Sequence, residues 1–360
     1  MFTLLSLQKP RIKTVSNGDS SVKDDGELQA AMHFLTRDPL FDSEKPYSMR
    51  YPPQGDLPQS NIKREKHLLE IHNMRQRLDD LKFEQCGFGM MNMDSDMSYD
   101  DFNDGSKITS VYLQEIGEAM KRTLNAKHVY VIDYAVRRRH SEFPISTGKN
   151  YKYDQPTAMA HIDFTCDEGR RMLQVLYGDD ADKVIQGRWQ IIKYLSTVYD
   201  IEIDTENSSL QPNSAWRPLR GPLNDWPLGL CDAQSVDFAN DTMAGDIVFR
   251  DWATENMQVR YNPMQKWYYL PDHIPSEVLI FKSADSEGDG ANGELEIFNQ
   301  HYLRIRYALT SKVCPHAGFF NPQVRKHELP RESIDCRAFV LYADLDEYPP
   351  EVGNLFQGHM

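Results

Sequence analysis

A histidine and an aspartate stand one residue apart in the stretch "TAMAHIDFTC", as His161 and Asp163. Alternate residues of a β-strand point to the same face, so an extended backbone here would project both side chains together. Two imidazoles and one carboxylate on one face bind a ferrous ion and leave coordination positions open. The pair is therefore a candidate for two of three metal ligands, although a histidine with no ligand role is the commoner interpretation of an isolated His-x-Asp motif.

The third ligand must be a histidine far along the chain, on a strand that lies beside the first. His316 in "KVCPHAGFF" follows a proline and precedes an apolar run, which favours it. The competing histidines are His273 in a proline-flanked turn, His301 in a segment that is helix or inserted strand, and His327 in a charged loop. We expect these three in turns or at the surface. We predict a metal site of His161, Asp163 and His316.

A ferrous site of this kind can use dioxygen together with 2-oxoglutarate, whose distal carboxylate would need a fixed cation, preferably a guanidinium beside a hydroxyl. "LPRESIDCRAFVLYAD" offers Arg331 and Ser333 at the start of the last predicted strand. Arg337 shares their face by strand parity and is the second candidate anchor. The order of the motifs, His-x-Asp, then a distal histidine, then Arg-x-Ser, is more specific than any one of them.

The composition and the spacing of apolar residues change along the chain, and with them the secondary structure that would position these residues. Residues 1–60 are polar and proline-rich, which predicts a loosely attached arm. Residues 61–83 and 108–124 show helical spacing of apolar residues. From residue 126, short β-branched and aromatic runs separated by turn residues predict an antiparallel barrel or sandwich, with one helix at about 166–186. The fold class is α+β, a single domain over 61–350 with a jelly-roll-like core and flanking N-terminal helices.

Charge and cysteine content exclude several classes of function. Lys and Arg number 40 against 54 Asp and Glu, a formal net charge of −14, and such a field repels nucleic acid and anionic membranes. The five scattered cysteines argue against a disulfide framework and a structural zinc site. No apolar run is long enough to span a bilayer. We predict a cytoplasmic monomer or homodimer that acts on a small molecule, and we leave the tail "EVGNLFQGHM" out of the fold.

Six blocks resemble the fungal non-haem iron hydroxylase/desaturase family, named after the cephem methoxylase and the gibberellin desaturase. They cover about residues 125–345 in the family's order: "AHIDFTCDEGRRML", "GRWQII", "WRPLRGPLNDWPLGLCDAQSV", "YNPMQKWYYLPDHIPSEVLIFKSADS", "CPHAGF" and "PRESIDCRAFVLYAD". The resemblance implies a double-stranded β-helix, dependence on Fe(II) and 2-oxoglutarate, and oxidation of an unactivated C–H bond in secondary metabolism. It assigns the metal to His161, Asp163 and His316, and the Arg-Glu-Ser motif to Arg331 and Ser333.

The chain departs from this family pattern at two segments, 193–215 and 287–313, which are either lids over the substrate or sequence foreign to the core. Arg217 and Arg220 in "WRPLRGP" are candidate carboxylate clamps, or equally ion pairs at a strand end. Aromatic and amide side chains that would line the substrate pocket, if they are not plain core, are Tyr261, Asn262, Trp267 and Tyr268.

Two alternatives to a 2-oxoglutarate-dependent enzyme stay open from the sequence. One is an iron dioxygenase that does not use 2-oxoglutarate, and the other is a barrel that binds a ligand without catalysis. Hydroxylation, desaturation and oxidative cyclisation are equally compatible with the motifs.

Overall fold

The computed structural model describes residues 27–144, 151–197, 222–289, 312–325, 328–345 and 348. Within these ranges the chain forms two β-sheets flanked by short helices, which agrees with the predicted α+β class. None of the helices in the described ranges has the length and apolar character of a membrane-crossing segment.

The strands alternate with short helices and turns along the whole described chain. The strands are β1 (Glu27–Leu35), β2 (Tyr47–Met49), β3 (Arg64–Asn73), β4 (Phe88–Asn92), β5 (His128–Arg138), β6 (His161–Ile162), β7 (Trp189–Thr197), β8 (Leu228–Cys231), β9 (Thr242–Val248), β10 (Ala253–Val259), β11 (Trp267–Tyr269), β12 (Glu277–Asp285), β13 (His316–Gly318) and β14 (Glu332–Leu341). The α-helices are α1 (Phe83–Cys86), α2 (Gly105–Lys107), α3 (Leu113–Leu124), α4 (Cys166–Tyr177), α5 (Ala181–Gln186) and α6 (Phe238–Asp241). A π-helical turn, Ile108–Tyr112, joins α2 to α3, and 3-10 turns occupy Pro39–Asp42, Met74–Gln76, Asp100–Asn103, Gly178–Asp180, Ala233–Ser235 and Ser286–Asp289.

The larger sheet has nine strands in the order β1-β3-β11-β8-β13-β6-β10-β9-β2. Its pairs are antiparallel except β3 with β11 and β2 with β9. The smaller sheet has five strands, β4-β12-β7-β14-β5, and all of its pairs are antiparallel. The candidate ligands lie on the larger sheet, and the candidate 2-oxoglutarate anchors lie on or next to the smaller sheet.

Strand β7 in the middle of the smaller sheet shows how the residues divide between its two faces. Ile192 and Tyr194 point outwards into the cluster that α3 covers. Trp189 and Ile191 point the other way and pack with α4, and Leu195 on the same face packs against Leu230 of the larger sheet. Lys193 stands between these two apolar clusters on the inner face, which leaves a polar gap between the sheets.

The predicted helix over 108–124 is present as the π-helical turn and α3. The helix predicted at 166–186 is divided into α4 and α5. Thr165 caps its start by accepting a hydrogen bond from the backbone N–H of Glu168, and Gly178 ends α4 with a φ of +53°, which a residue with a Cβ rarely adopts.

The prediction of a loose arm over residues 1–60 is wrong for the part of it that the structure describes. Strand β1 buries alternate residues, among them Met32 and Phe34. The larger sheet curls, so that β1 also contacts the segment directly before β6. His33 exchanges backbone hydrogen bonds with Ala158 and Ala160, directly before β6. Turn residues around this strand dominated the composition and hid the alternation of "ELQAAMHFL".

The helix predicted over 61–83 is also wrong, because its first half is strand β3. Leu69 and Ile71 are buried while Leu68 is 68% exposed, a period of two that pairs the strand with β1 on one side and β11 on the other. The apolar positions satisfied both periods in a short window, and tertiary pairing decided between them.

Candidate metal centre

His161 and His316 are brought together by direct pairing of β6 with β13 in antiparallel register. Their ring centroids are 4.5 Å apart. Ile162 and Ala317, the residues that follow them, point to the opposite face of the sheet and pack in the apolar cluster beneath β1. The pleat therefore directs both imidazoles into the gap between the sheets.

Asp163 leaves β6 on the same side as His161 and completes a cluster of three. One ligand atom from each of His161, Asp163 and His316 lies within 4.8 Å of the other two. The Nε2 atom of each imidazole is 3.6 Å from an oxygen of Asp163, His161 from Oδ1 and His316 from Oδ2. These separations leave room for an ion between the three groups rather than a tight direct hydrogen bond.

Both imidazoles are oriented by their second nitrogen. The Nδ1 atom of His161 is 2.7 Å from the carbonyl oxygen of Met159, and that of His316 is 3.1 Å from the carbonyl oxygen of Cys314. A carbonyl only accepts, so each Nδ1 carries the proton and each Nε2 presents a lone pair. Among the described residues, the buried Nε2 of His316 has no hydrogen-bond partner. Two fixed lone pairs and a carboxylate fit a divalent transition metal.

The charge states of the cluster also suit a metal. Burial lowers the pKa of His316 well below its usual value, and the neighbouring His161 lowers it further, so the ring is neutral. Burial by itself would raise the pKa of Asp163, but Lys193 and the two imidazoles lower it well below the usual range. A neutral imidazole and an ionised carboxylate are the forms that bind metal.

A pocket that is open to solvent lies beside this cluster. The aromatic ring of Phe281 lies against His316 with 4.6 Å between ring centroids, which closes one wall. A Cβ at Gly318 would lie 3.3 Å from Pro156 and 3.7 Å from Nη1 of Arg331, so a glycine at this position keeps space in front of that guanidinium. The cavity is lined by Arg137, Thr157, His161, Lys193, Leu195, Leu228, Phe281, His316, Gly318, Arg331 and Asp335.

Arg331 is at the cavity wall and is held from several directions. Its Nε donates to Oγ of Ser333 at 3.1 Å, and its Nη1 donates to the carbonyl of Trp226 at 2.8 Å. Its backbone N–H donates to the carboxylate of Asp225. The guanidinium is therefore oriented before any ligand arrives, which is the property that a carboxylate anchor needs.

Arg337, the second candidate anchor, lies on the inner face but does not line the cavity. It forms a two-pronged ion pair with Asp133 on β5, and its guanidinium lies 4.8 Å over the ring of Phe164. Both prongs are thus committed to a carboxylate of the protein.

Three charged residues at the site escaped the analysis of the sequence. Nζ of Lys193 lies 3.2 Å from both oxygens of Asp163 and 3.2 Å from Oδ2 of Asp335. Nε of Arg137 donates to both oxygens of Asp335 at 3.2 Å. Arg137 and Lys193 lower the pKa of Asp335 to about 2, against a burial effect that raises it.

A lone lysine inside the apolar run "WQIIKYL" was the sequence signal that could have identified Lys193, since unpaired lysine is rarely buried. It was missed because residue 193 was assigned to an insertion, whereas 193–197 complete β7.

The residues proposed for the substrate pocket lie elsewhere. Tyr261 stacks on His67 with 3.9 Å between ring centroids, and Asn262 donates to Asp241. Trp267 is buried against Phe34 under β1, and Tyr268 packs in the apolar cluster with Leu230. Strand β11 places these side chains away from the cavity because β8 and β13 separate it from β6.

The remaining predicted positions are either buried for another reason or outside the described chain. His273, expected in a turn or at the surface, directly follows a turn but is buried, and its Nε2 lies 2.8 Å from the carbonyl of Glu277. Arg217, Arg220, His301 and His327 lie outside the described residues, as do 198–215 and 290–311 of the two predicted insertions.

Comparison with known proteins gives the family. A family model described as "Oxidoreductase/YMDC permease-like domain" matches residues 32–200 and 207–341. The Alpha-ketoglutarate-dependent dioxygenase tstK of Talaromyces stipitatus is 26% identical over 76% of this chain and 84% of its own length. The Hydroxylase/desaturase efuI of Hormonema carpetanum is 27% identical over 67% of this chain and 73% of its own.

The fold is also that of a solved structure. The iron and alpha-ketoglutarate-dependent endoperoxidase NvfI matches 89% of this chain and 100% of its own with a TM-score of 0.67, at 22% identity. The resemblance predicted from the motifs is confirmed by these relatives. The chain belongs to the oxidoreductase family that this model describes, and its relatives are the Fe(II)/2-oxoglutarate-dependent dioxygenases and hydroxylase/desaturases of fungi.

Proposed function

We propose that this protein is an Fe(II)/2-oxoglutarate-dependent dioxygenase that oxidises an unactivated C–H bond of a small molecule in secondary metabolism. The observation that carries the proposal is the buried cluster of His161, Asp163 and His316, in which two imidazoles present unprotonated Nε2 atoms toward one carboxylate. The named relatives, which include dioxygenases and hydroxylase/desaturases, support the same chemistry.

In this proposal the three residues hold Fe(II), and Arg331 with Ser333 binds the distal carboxylate of 2-oxoglutarate. Bound iron and 2-oxoglutarate would reduce dioxygen, giving succinate and carbon dioxide while the substrate loses two electrons. Arg331 is preferred over Arg337 because Arg331 lines the cavity, whereas Arg337 is paired with Asp133.

The side chains of the protein supply orientation and the exclusion of water. The carbonyls of Met159 and Cys314 fix the two imidazoles, and Phe281 shields His316 from solvent. The Ser333 hydroxyl and the Trp226 carbonyl hold the guanidinium of Arg331, so little side-chain freedom is lost when a carboxylate binds.

We further propose a double-stranded β-helix as the core, a cytoplasmic location, and a monomeric or homodimeric state with no nucleic-acid partner. The two facing sheets, the buried cysteines and the net charge of −14 support these assignments.

The test is an anaerobic titration of the purified protein with Fe(II) and then 2-oxoglutarate, followed by visible absorption. We expect a weak charge-transfer band that forms only when both are present and succinate release once oxygen and substrate are added. Iron binding without the band would favour a dioxygenase that does not use 2-oxoglutarate, and no iron binding would favour a ligand-binding barrel.

A further inference from the structure

Lys193 forms an ion pair with Asp163, one of the candidate metal ligands, and it contacts a second carboxylate at the same time. Its Nζ lies 3.2 Å from each oxygen of Asp163 and 3.2 Å from Oδ2 of Asp335. The side chain is 10% exposed and rises from the middle of β7, so the surrounding sheet fixes its position.

The second carboxylate, Asp335, lies in the same cavity as the candidate metal ligands. It is not part of the triad formed by His161, Asp163 and His316, the three residues whose ligand atoms converge. Asp335 lines the cavity, and its other partner is Arg137. Two buried carboxylates on one side of two imidazoles would together form a more anionic cation site than the triad alone.

The ammonium group has two effects on such a site. It occupies the space between Asp163 and Asp335, and it needs a carboxylate oxygen from each of them as an acceptor. Both oxygens of Asp163 lie within 3.2 Å of the ammonium, so the ion pair competes with a metal for this carboxylate and disfavours chelation of one ion by both oxygens. Asp335 is held toward Lys193 by the same attraction.

We infer that Lys193 is a positioning residue that limits the protein's contribution at this centre to three ligand atoms. The inference rests on the proposed function, since it takes the triad to be a metal site. Its consequence is that the wild-type chain binds a divalent cation more weakly than the local carboxylates would permit, and keeps more positions open for co-substrate and dioxygen.

The experiment uses Mn(II) alone, bound anaerobically to the full chain. Electron paramagnetic resonance gives the affinity, and the relaxation rate of water protons reports exchangeable water on the bound ion. Lys193→Met removes the charge at nearly the same length, and Lys193→Arg keeps it. We expect Lys193→Met to bind Mn(II) about tenfold more tightly with less relaxation enhancement, because a repulsive charge is lost and a carboxylate oxygen is released. Lys193→Arg should stay near the wild-type values.

The matched control is Lys282→Met. Lys282 is also buried, also lies in the smaller sheet, and also contacts two carboxylates, Glu84 and Asp285, but it does not touch the triad. Its substitution should leave Mn(II) affinity and water relaxation unchanged, with circular dichroism checking that every variant is folded. The double variant Lys193→Met with Asp335→Asn should lose most of the gain in affinity.

The possible outcomes separate the inference from the function beneath it. If the wild-type chain binds Mn(II), and Lys193→Met binds it equally or less tightly with unchanged relaxation, Lys193 is only a structural counter-charge and the inference fails. If wild-type Mn(II) binding is absent, or persists in Asp163→Asn, the proposed metal site itself is wrong.

Discussion

His161 and His316 are cross-strand partners, with ring centroids 4.5 Å apart and both Nδ1 atoms tied to backbone carbonyls two residues earlier. The two residues are far apart in the sequence, yet each imidazole is oriented in the same way. In both, Nδ1 is hydrogen-bonded to a backbone carbonyl two residues earlier in the chain. The relative position of the two imidazoles is therefore set by the pairing of β6 with β13.

Replacement of His316 by alanine should abolish metal binding and turnover without unfolding the chain. The substitution removes one of only two imidazole ligands, and a remaining histidine and aspartate bind Fe(II) too weakly to retain it. Bound iron after desalting and succinate formation are the measurements. His273→Gln, at an equally buried histidine outside the cluster, should retain iron, and equal loss in both variants would point to a folding defect instead.

Arg331→Ala should raise the KM for 2-oxoglutarate by about 30-fold or more, because a charge-assisted pair to a carboxylate contributes about 2 to 3 kcal/mol. Arg337→Lys keeps a cation opposite Asp133 and should change this KM by about twofold at most. Steady-state succinate formation at varied 2-oxoglutarate gives both values. A large increase for Arg337→Lys together with a small one for Arg331→Ala would reverse the assignment of the anchor.

Phe34→Ala should lower the free energy of unfolding by about 3 to 5 kcal/mol, the usual cost of truncating a fully buried phenylalanine. Phe34 is buried on β1 and packs edge-on against Trp267. Leu68→Ala, on the neighbouring strand but 68% exposed, should cost about 0.5 kcal/mol or less. Urea unfolding followed by tryptophan fluorescence measures the free energy of unfolding of both variants. A similarly small decrease for both would support the prediction that this segment is a loosely attached arm.

His273 should make stability fall as the pH drops below about 6.5. Burial lowers the pKa of His273 to about 4, from an ordinary value of 6.5. Between these values the unfolded chain takes up a proton that the folded chain does not, so stability present above pH 6.5 is lost as the pH falls towards 4. This histidine would account for about 2 kcal/mol between pH 7 and pH 5.

His273→Gln keeps a donor for the carbonyl of Glu277 but cannot titrate. Its free energy of unfolding should therefore fall less than that of the wild type over the same pH range. His72→Gln, at a half-exposed histidine, serves as the control. Identical pH profiles for wild type and His273→Gln would contradict the assignment.

The strands were predictable where β-branched and aromatic residues form a continuous run between turn residues, as in "HVYVIDYAVRR" and "EVLIFKSAD". Strands β1 and β3 were not, because a short window around Leu68 and Ile71 fits both helical and extended periods. Their pairing is decided by contacts with residues near Ala160 and Trp267, which no local pattern contains.

The candidate site was likewise predictable from the sequence only in part. His161 and Asp163 share a face through local parity, and the structure places His316 beside them, while the ligand role of all three stays a prediction for the metal titrations. Lys193 and Asp335 could not be paired from sequence because their contact depends on the register of β7 against β14. Arg337 lies on the face that strand alternation predicts, yet it does not line the cavity. Its guanidinium is instead paired with Asp133 on the neighbouring strand.

The return of β1 onto the segment before β6 means that the proposed metal site is complete only in the folded chain. His33 is hydrogen-bonded to Ala158 and Ala160, while β13 must pair with β6 from near the other end of the chain. Both contacts join residues that are distant in sequence, and contacts of this kind slow the folding of a chain. A partly synthesised or partly unfolded chain lacks the paired imidazoles and would leave redox-active iron unbound. If the proposed site binds iron, nascent protein would thus acquire its metal only after β1 and β13 have both reached the region of β6.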